Sequence, residues 1–176
     1  MLNPKEHTMA EKIIRDQEAH KKLKSIVDQI DIGTICTFTP NSPYPHGVPM
    51  SRQEVDKDGN IWYICSAESE THKNLEKNDK ISVFYADPKN YSFLSINGTA
   101  TLSRDQARID RYWNKMMQGW FEKGKEDPNI RLIKVTPDEA HYWDSGSNKI
   151  ATLFGMLKNA ITGSKEGIGE EGELKL

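Results

Sequence analysis

The sequence has few cysteines, no long apolar run and almost no net charge. Its 176 residues include 24 basic and 26 acidic side chains, so no overall field attracts nucleic acid or a membrane surface. No stretch reaches the roughly 20 apolar residues of a membrane-spanning helix. The opening residues MLNPKEHTMAEK contain no apolar signal region. We therefore expect a cytoplasmic protein that binds neither nucleic acid nor membrane.

Motifs for metal binding and for nucleophilic catalysis are missing as well. The two cysteines, Cys36 and Cys65, lie in separate apolar segments, which favours reduced, buried thiols over a disulfide. None of the five histidines has the spacing of a zinc site. There is no GxSxG or P-loop sequence either. The sequence therefore predicts no metal site and identifies no catalytic residue.

The chain length favours a single domain with a substantial core. We predict one domain over residues 1–162, made of an N-terminal helix at 8–30, a barrel at 33–144 and a C-terminal helix at 148–162. The first helix is predicted from a capping-box pattern followed by apolar residues at helical spacing. The polar, acidic tail at 163–176 is predicted to be disordered.

Six segments rich in β-branched and aromatic residues predict strands: GTICTFTP, HGVPMSRQEV, NIWYIC, ISVFYA, YSFLSINGTATL and IRLIKVTPDEAHYWD. The residues KDGN at 57–60 supply the chemistry of a hairpin turn. Short consecutive strands joined by tight turns, with helices before and after them, favour an antiparallel barrel with peripheral helices. A parallel sheet would need regular helices between its strands.

An intermediate helix is predicted after the fifth strand. Ser103 and Gln106 form a capping-box pattern at its start. Apolar residues then recur at helical spacing at Ile109, Tyr112, Trp113, Met116, Met117 and Trp120. We interpret this stripe as core packing against the sheet rather than as a ligand-binding surface.

The loop SAESETHKNLEKND at 66–79 combines hydroxyl side chains with a lysine at the start of a short helical segment. Ser66, Thr71 and Lys73 are the parts of a cradle for a phosphate group. Glu68 and Glu70 oppose this reading, because their carboxylates must point away if a dianion is to bind. The same residues also suit ordinary helix capping, and the pattern alone leaves both readings open.

The chain resembles the pyridoxamine 5'-phosphate oxidase-like FMN-binding split barrels, and most closely their general stress protein subgroup. The resemblance covers roughly residues 10–144 and is carried by five segments in family order: VPM, DGNIWYICS, THKNLEKNDKISVFYAD, SINGTATLSRD and WFEKGKEDPNIRLIKVTPDEAHYWD. It implies a mainly β fold, a six-stranded antiparallel split β-barrel with N-terminal, intermediate and C-terminal helices. It also implies a homodimer with FMN in a groove at the subunit interface.

By this resemblance, the cofactor-binding residues fall in four places. Ser66, Thr71 and Lys73 would hold the FMN phosphate. The segment Val48, Pro49 and Met50 would run beside the flavin ring, and Ile64 and Cys65 would lie along the ribityl chain or the ring. Trp143 would cover the flavin of the opposite subunit. Many relatives carry an arginine where this chain has Val48, so we expect weaker FMN retention here than in those relatives.

The resemblance leaves several functions open. The leading hypothesis is an FMN-dependent oxidoreductase of general stress type with an unknown small-molecule redox substrate, and FAD is an alternative cofactor. The alternative function is a non-catalytic flavin-binding stress or sensor module on the same fold. Haem or deazaflavin binding is a further alternative, and so is a domain that has lost its cofactor.

Overall fold

A curled antiparallel β-sheet makes up most of the structure. This computed structural model describes residues 12–144 and 170–176. The elements in chain order are β1 (Lys12–Arg15), α1 (Asp16–Val27), β2 (Ile32–Thr37), β3 (His46–Ser51), β4 (Glu54–Val55), β5 (Ile61–Ser66), α2 (Glu70–Leu75), β6 (Lys80–Asp87), β7 (Ser92–Ser103), α3 (Gln106–Tyr112), two 3₁₀ helices (Lys115–Gly119 and Gly124–Glu126), β8 (Ile130–Asp144) and β9 (Glu170–Lys175).

The strands form one sheet of nine, in the order β1-β9-β8-β7-β6-β2-β3. The first half of β8 also pairs with β5, which in turn pairs with β4. β3 lies against β5, but the two strands are not paired. The barrel is therefore open between β3 and β5, and the predicted antiparallel split barrel is confirmed.

All six predicted strands are present, and one of them is divided into two shorter strands. The second of them bends at Arg52 and Gln53 and continues as β4. Arg52 fixes this bend: its guanidinium lies 3.5 Å from the carboxylate of Asp28 and 3.4 Å from that of Asp31. These contacts tie the end of α1 to the end of β3.

The two chain ends differ from the prediction. Within the described part of the predicted range 8–30, the helix covers Asp16–Val27, because residues 12–15 form β1. The tail predicted to be disordered contains β9, which pairs in parallel with β1 and antiparallel with the second half of β8. This backbone pairing supplies hydrogen bonds that a reading of the local sequence does not take into account. The predicted C-terminal helix at 148–162 lies outside the described residues.

The main core fills the concave side of the sheet beneath α1, from which Leu23, Ile26 and Val27 are inserted. Two tyrosines, Tyr63 and Tyr85, lie in this core with their hydroxyl groups hydrogen-bonded to each other. Burial raises the pKa of Tyr85 to about 12 and holds that of Tyr63 well above its usual value. Both side chains are therefore neutral core residues.

A second, smaller core lies between α3 and the outer side of β5 and β8. The capping residue of α3 is Asp105, whose carboxylate accepts from the amide of Arg108, so the predicted Ser103 capping box is wrong. The helix ends at Tyr112, and Asn114 caps a new 3₁₀ helix. The apolar stripe therefore breaks: Ile109, Tyr112 and Met117 are buried, Trp113 is half-buried, and Met116 and Trp120 are exposed.

Candidate functional site

The loop between β5 and α2 takes part in helix capping, one of the two roles that its sequence left open. Ser69 is the N-cap of α2: its hydroxyl accepts from the amide of His72 at 3.2 Å and donates to the carbonyl of Ser66 at 2.7 Å. The amide of Lys73 donates to the carbonyl of Ser69 at 3.1 Å. Helix capping thus uses the hydroxyl of Ser69 and the amides of His72 and Lys73, and an anion here would contact mainly side chains.

The three predicted phosphate ligands differ in exposure. Ser66 Oγ accepts from the amide of Glu68 at 3.1 Å, a bond that leaves its hydroxyl hydrogen available to donate. Lys73 is exposed, whereas only 2 % of Thr71 is accessible. Residues two apart on a helix point in different directions, so Thr71 and Lys73 do not converge on one point of the surface. Ser66 and Lys73 are the more accessible pair.

The objection from the acidic residues is partly removed. The carboxylate of Glu68 accepts from the side-chain amide of Asn129 at 3.3 Å, and the amide of Ala67 donates to the carbonyl of Asn129 at 2.7 Å. Both contacts turn this part of the loop toward the segment that leads into β8. Glu70 is exposed in the first turn of α2.

Cys65 lies at the end of β5, facing the main core, with 5 % of its surface accessible. Burial raises the pKa of its thiol to about 11, and a hydrogen bond with Ser69 and the positive charge of Arg131 offset only part of that rise. The thiolate is the reactive form of cysteine. The side chain is therefore a neutral thiol at physiological pH, which excludes Cys65 as an activated nucleophile.

We predict that both thiols react slowly with a disulfide reagent at pH 8. Cys36 is also buried, and burial raises the pKa of its thiol. The rates of modification, measured with 5,5'-dithiobis(2-nitrobenzoic acid), are expected to rise by about 100-fold or more in denaturant, since unfolding restores a thiol pKa of about 8.5. In a Cys65→Ser variant only Cys36 can react, so comparison with wild type shows which rate belongs to which cysteine. Fast modification of Cys65 in the native protein would contradict its described burial.

The segment predicted to line the flavin ring lies on β3, a strand that pairs only with β2 among the described residues. Val48 and Met50 are half-buried, and Met50 packs against the main core, whereas Pro49 is exposed on the opposite face. Proline suits such an edge because it has no amide to donate to a further strand. The free edge of β3 thus borders the opening of the barrel.

A buried hydrogen bond holds α2 close to the start of β3. The side-chain amide of Asn74 donates to the hydroxyl of Thr37 at 3.1 Å, and both residues are buried. Thr37 is in register with His46, the first residue of β3. The loop that carries Ser66, the helix that carries Lys73 and the start of β3 are therefore neighbours at one end of the barrel.

The two remaining predicted residues differ in position: Ile64 is two residues before Ser66 on β5, whereas Trp143 is far from this end. Ile64 packs into the second core on the α3 side of β5. Trp143 is near the far end of β8, paired with Phe93, and 42 % of it is accessible. It lies 12 residues along the strand from Arg131, a path of up to about 40 Å. One chain therefore does not bring Trp143 to the Ser66 and Lys73 end.

Two of the surface cavities formed by residues 12–144 lie elsewhere. One of about 680 Å³ lies between α1 and the turn from β4 to β5, and one of about 380 Å³ borders β6, β7 and β8. Neither is lined by any of the nine predicted cofactor-binding residues. Within residues 12–144 and 170–176 there is no cluster of side chains suited to hold a metal ion. In the same part of the chain, no helix is long and apolar enough to cross a membrane.

Comparison with known proteins establishes the family. The model of the family described as "Pyridoxamine 5'-phosphate oxidase like" matches residues 18–167. The chain belongs to that family. Its predicted resemblance is thereby confirmed, and the match extends beyond the barrel to residues 145–167.

Several solved structures share the fold of this chain. A protein from Jannaschia sp. CCS1, assigned to general stress protein 26, covers 89 % of this chain and 97 % of its own at 20 % identity, with a TM-score of 0.72. General stress protein 26 of Bacillus anthracis covers 70 % and 92 % at 23 % identity, with a TM-score of 0.62. The general stress FMN/FAD binding protein of Xanthomonas citri covers 73 % and 89 % at 28 % identity, with a TM-score of 0.58.

A curated relative is more distant. Protein bli-3 of Neurospora crassa is 23 % identical over 111 residues, which are 58 % of this chain and 53 % of that protein. The chain thus spans about half the length of this relative.

Proposed function

We propose that this chain binds FMN, with the phosphate at the end of the barrel where the loop after β5, α2 and the start of β3 meet. Family membership and the 28 % identity to an FMN/FAD binding protein support a flavin. The observation that carries the proposed position is the buried hydrogen bond of Asn74 to Thr37, which brings α2 next to the start of β3. Ser66 and Lys73 then offer a donor and a cation to the phosphate.

The bound flavin would supply the redox chemistry by accepting hydride or electrons. The chain would bind and orient it: Val48, Pro49 and Met50 on the edge of β3 would border the ring, and the neutral thiol of Cys65 would lie along the ribityl chain. We further propose a homodimer, because the exposed Trp143 can reach such a site only from a second copy. FAD fits the same phosphate position if the opening of the barrel has room for its adenosine part.

The proposed activity is an oxidoreductase of general stress type in the cytoplasm, a compartment that suits the two free, buried cysteines. A non-catalytic flavin-binding module is the second candidate. It is favoured by the protonated Cys65, which supplies no activated nucleophile at this end of the barrel. Reduction of bound flavin by NADH or NADPH, followed by reoxidation with an added acceptor, would support the oxidoreductase.

Replacing Lys73 with alanine is expected to raise the Kd for FMN about fivefold to tenfold, because an exposed lysine contributes a single, partly screened contact to the phosphate. Fluorescence quenching on titration with FMN measures the change. Lys77→Ala is the matched control, since Lys77 is also exposed and lies just beyond α2. Equal affinities of the Lys73 and Lys77 variants would show that the phosphate is not at this helix.

A further inference from the structure

Arg131 is a basic residue at the same end of the barrel that is not among the nine predicted cofactor-binding residues. It is the second residue of β8 and is in register with Cys65 on β5. Its neighbour Ile130 is in register with Ser66, the first residue of the loop before α2. The strand pairing therefore brings the backbone of Arg131 to the end of β5, where the loop that contains Ser66 begins.

The guanidinium of Arg131 is held in place by backbone carbonyls. One nitrogen, Nη1, donates to the carbonyl of Pro128 at 2.7 Å and to that of Ile130 at 2.9 Å. Within the described ranges, no carboxylate lies within the 4.0 Å of an ion pair with Arg131, whereas Arg52 has two such partners and Arg108 has one. Because Arg131 is half-buried, held by carbonyl groups and not paired with a described carboxylate, its positive charge is fixed in position and available to an anion.

The surroundings of Arg131 are those of the proposed cradle. Its charge acts on the thiol of Cys65, and Ser69 hydrogen-bonds to the same thiol. Asn129, two residues before Arg131, bonds both Ala67 and Glu68 of the loop. Without Arg131, the cradle would contain one lysine for a phosphate that carries close to two negative charges at neutral pH.

We propose that Arg131 is a phosphate-binding residue of the flavin site, supplying from β8 the positive charge that Val48 does not supply from β3. The inference rests on the proposed function. A guanidinium has five N–H donors in a planar fork, so Arg131 can keep its carbonyl contacts through Nη1 while its other nitrogens donate to phosphate oxygens. It would act with Lys73, one group on each side of the loop.

The test compares FMN with riboflavin, which lacks the phosphate, in the full-length protein. We expect wild-type protein to bind FMN more tightly than riboflavin. Arg131→Gln is expected to weaken FMN binding about tenfold or more, the scale of a charge-assisted hydrogen bond, and to leave the riboflavin Kd within about twofold. Arg131→Lys should restore part of the FMN preference, because it keeps the charge but loses the fork.

Arg104→Gln is the matched control. Arg104 also donates to a carbonyl of the loop before β8, that of Asp127, but it contacts Gln106 of α3 on the other side of the sheet. Its variant should keep the FMN preference. Equal weakening of FMN and riboflavin by Arg131→Gln would assign Arg131 a structural role and overturn the inference.

The remaining outcomes separate the inference from the proposed function. If wild type prefers FMN and Arg131→Gln keeps that preference, the inference fails and the proposed function stands. If wild type binds both flavins equally, flavin binding stands, but the phosphate is not recognised and Arg131 has no role in it. If wild type binds neither, the proposed function fails, and the inference fails with it.

Discussion

Replacing Gly98 with alanine is expected to lower the free energy of unfolding by about 3 kcal/mol, near the upper end for overpacking. Gly98 lies at an irregularity in the pairing of β7 and β8, where Asn97 pairs with Glu139 and Gly98 with Pro137. A Cβ at this position would overlap the carbonyl oxygen of Thr136 and lie 3.0 Å from Cα of Pro137. Both obstacles are backbone atoms, so the clash can be relieved only by moving the two central strands apart.

Urea denaturation of wild type and the Gly98→Ala variant measures this change as a shift in the midpoint at constant m-value. Thermal unfolding should show a lower Tm, by roughly 10 °C for a chain of this size. Gly119→Ala is the control, because no atom lies within 4 Å of a Cβ added there. If both alanine variants are as stable as wild type, the described close approach of β7 and β8 is wrong.

Removal of the Glu54 side chain is expected to cost about 2 kcal/mol of stability, since it breaks several charge-assisted bonds in a partly buried setting. One carboxylate oxygen of Glu54 lies 2.9 Å from Nη1 of Arg108 and 2.9 Å from Nη2 of Arg111, and it also accepts from the hydroxyl of Tyr112. Arg108 in turn stacks on the ring of Trp62, 3.9 Å from its centroid. Glu54 thus joins β4 to α3.

The Glu54→Ala change is best measured beside Glu122→Ala, which removes an exposed carboxylate. We expect Glu122→Ala to unfold at a urea midpoint close to that of wild type, and Glu54→Ala clearly below it. If the two variants unfold at the same urea midpoint, water replaces the contacts of Glu54 with Arg108, Arg111 and Tyr112 without loss of stability.

The barrel could be predicted from the sequence because each of its six predicted strands has a recognisable local pattern of residues. Apolar and β-branched residues mark all six predicted strands, and buried positions alternate along β6 and β7 as expected for a sheet with one face in the core. The strands β1 and β9 could not be predicted, since β1 has only four residues, β9 is mostly charged, and both are stabilised by pairing with a distant part of the chain. The same limit applied to α3, where the cap formed by Asn114 overrides the apolar spacing.

The candidate site was predictable only in part, for a similar reason. The hydroxyls and Lys73 are local to one loop and could be recognised in the sequence. Asn129 and Arg131 reach the same place through the register of β5 and β8, and pairing registers between distant segments are not apparent from sequence spacing. The one available signal was the Asp127-Pro128-Asn129 turn, which begins β8 beside this loop.

The visible absorption spectrum of the purified protein shows whether the chain binds FMN. The spectrum should be recorded before and after addition of FMN, with any chromophore released by denaturation identified. We expect a flavin spectrum, or a saturable change on adding FMN that is weaker in the Lys73→Ala variant. A colourless protein whose spectrum with FMN is the simple sum of the two components would contradict it.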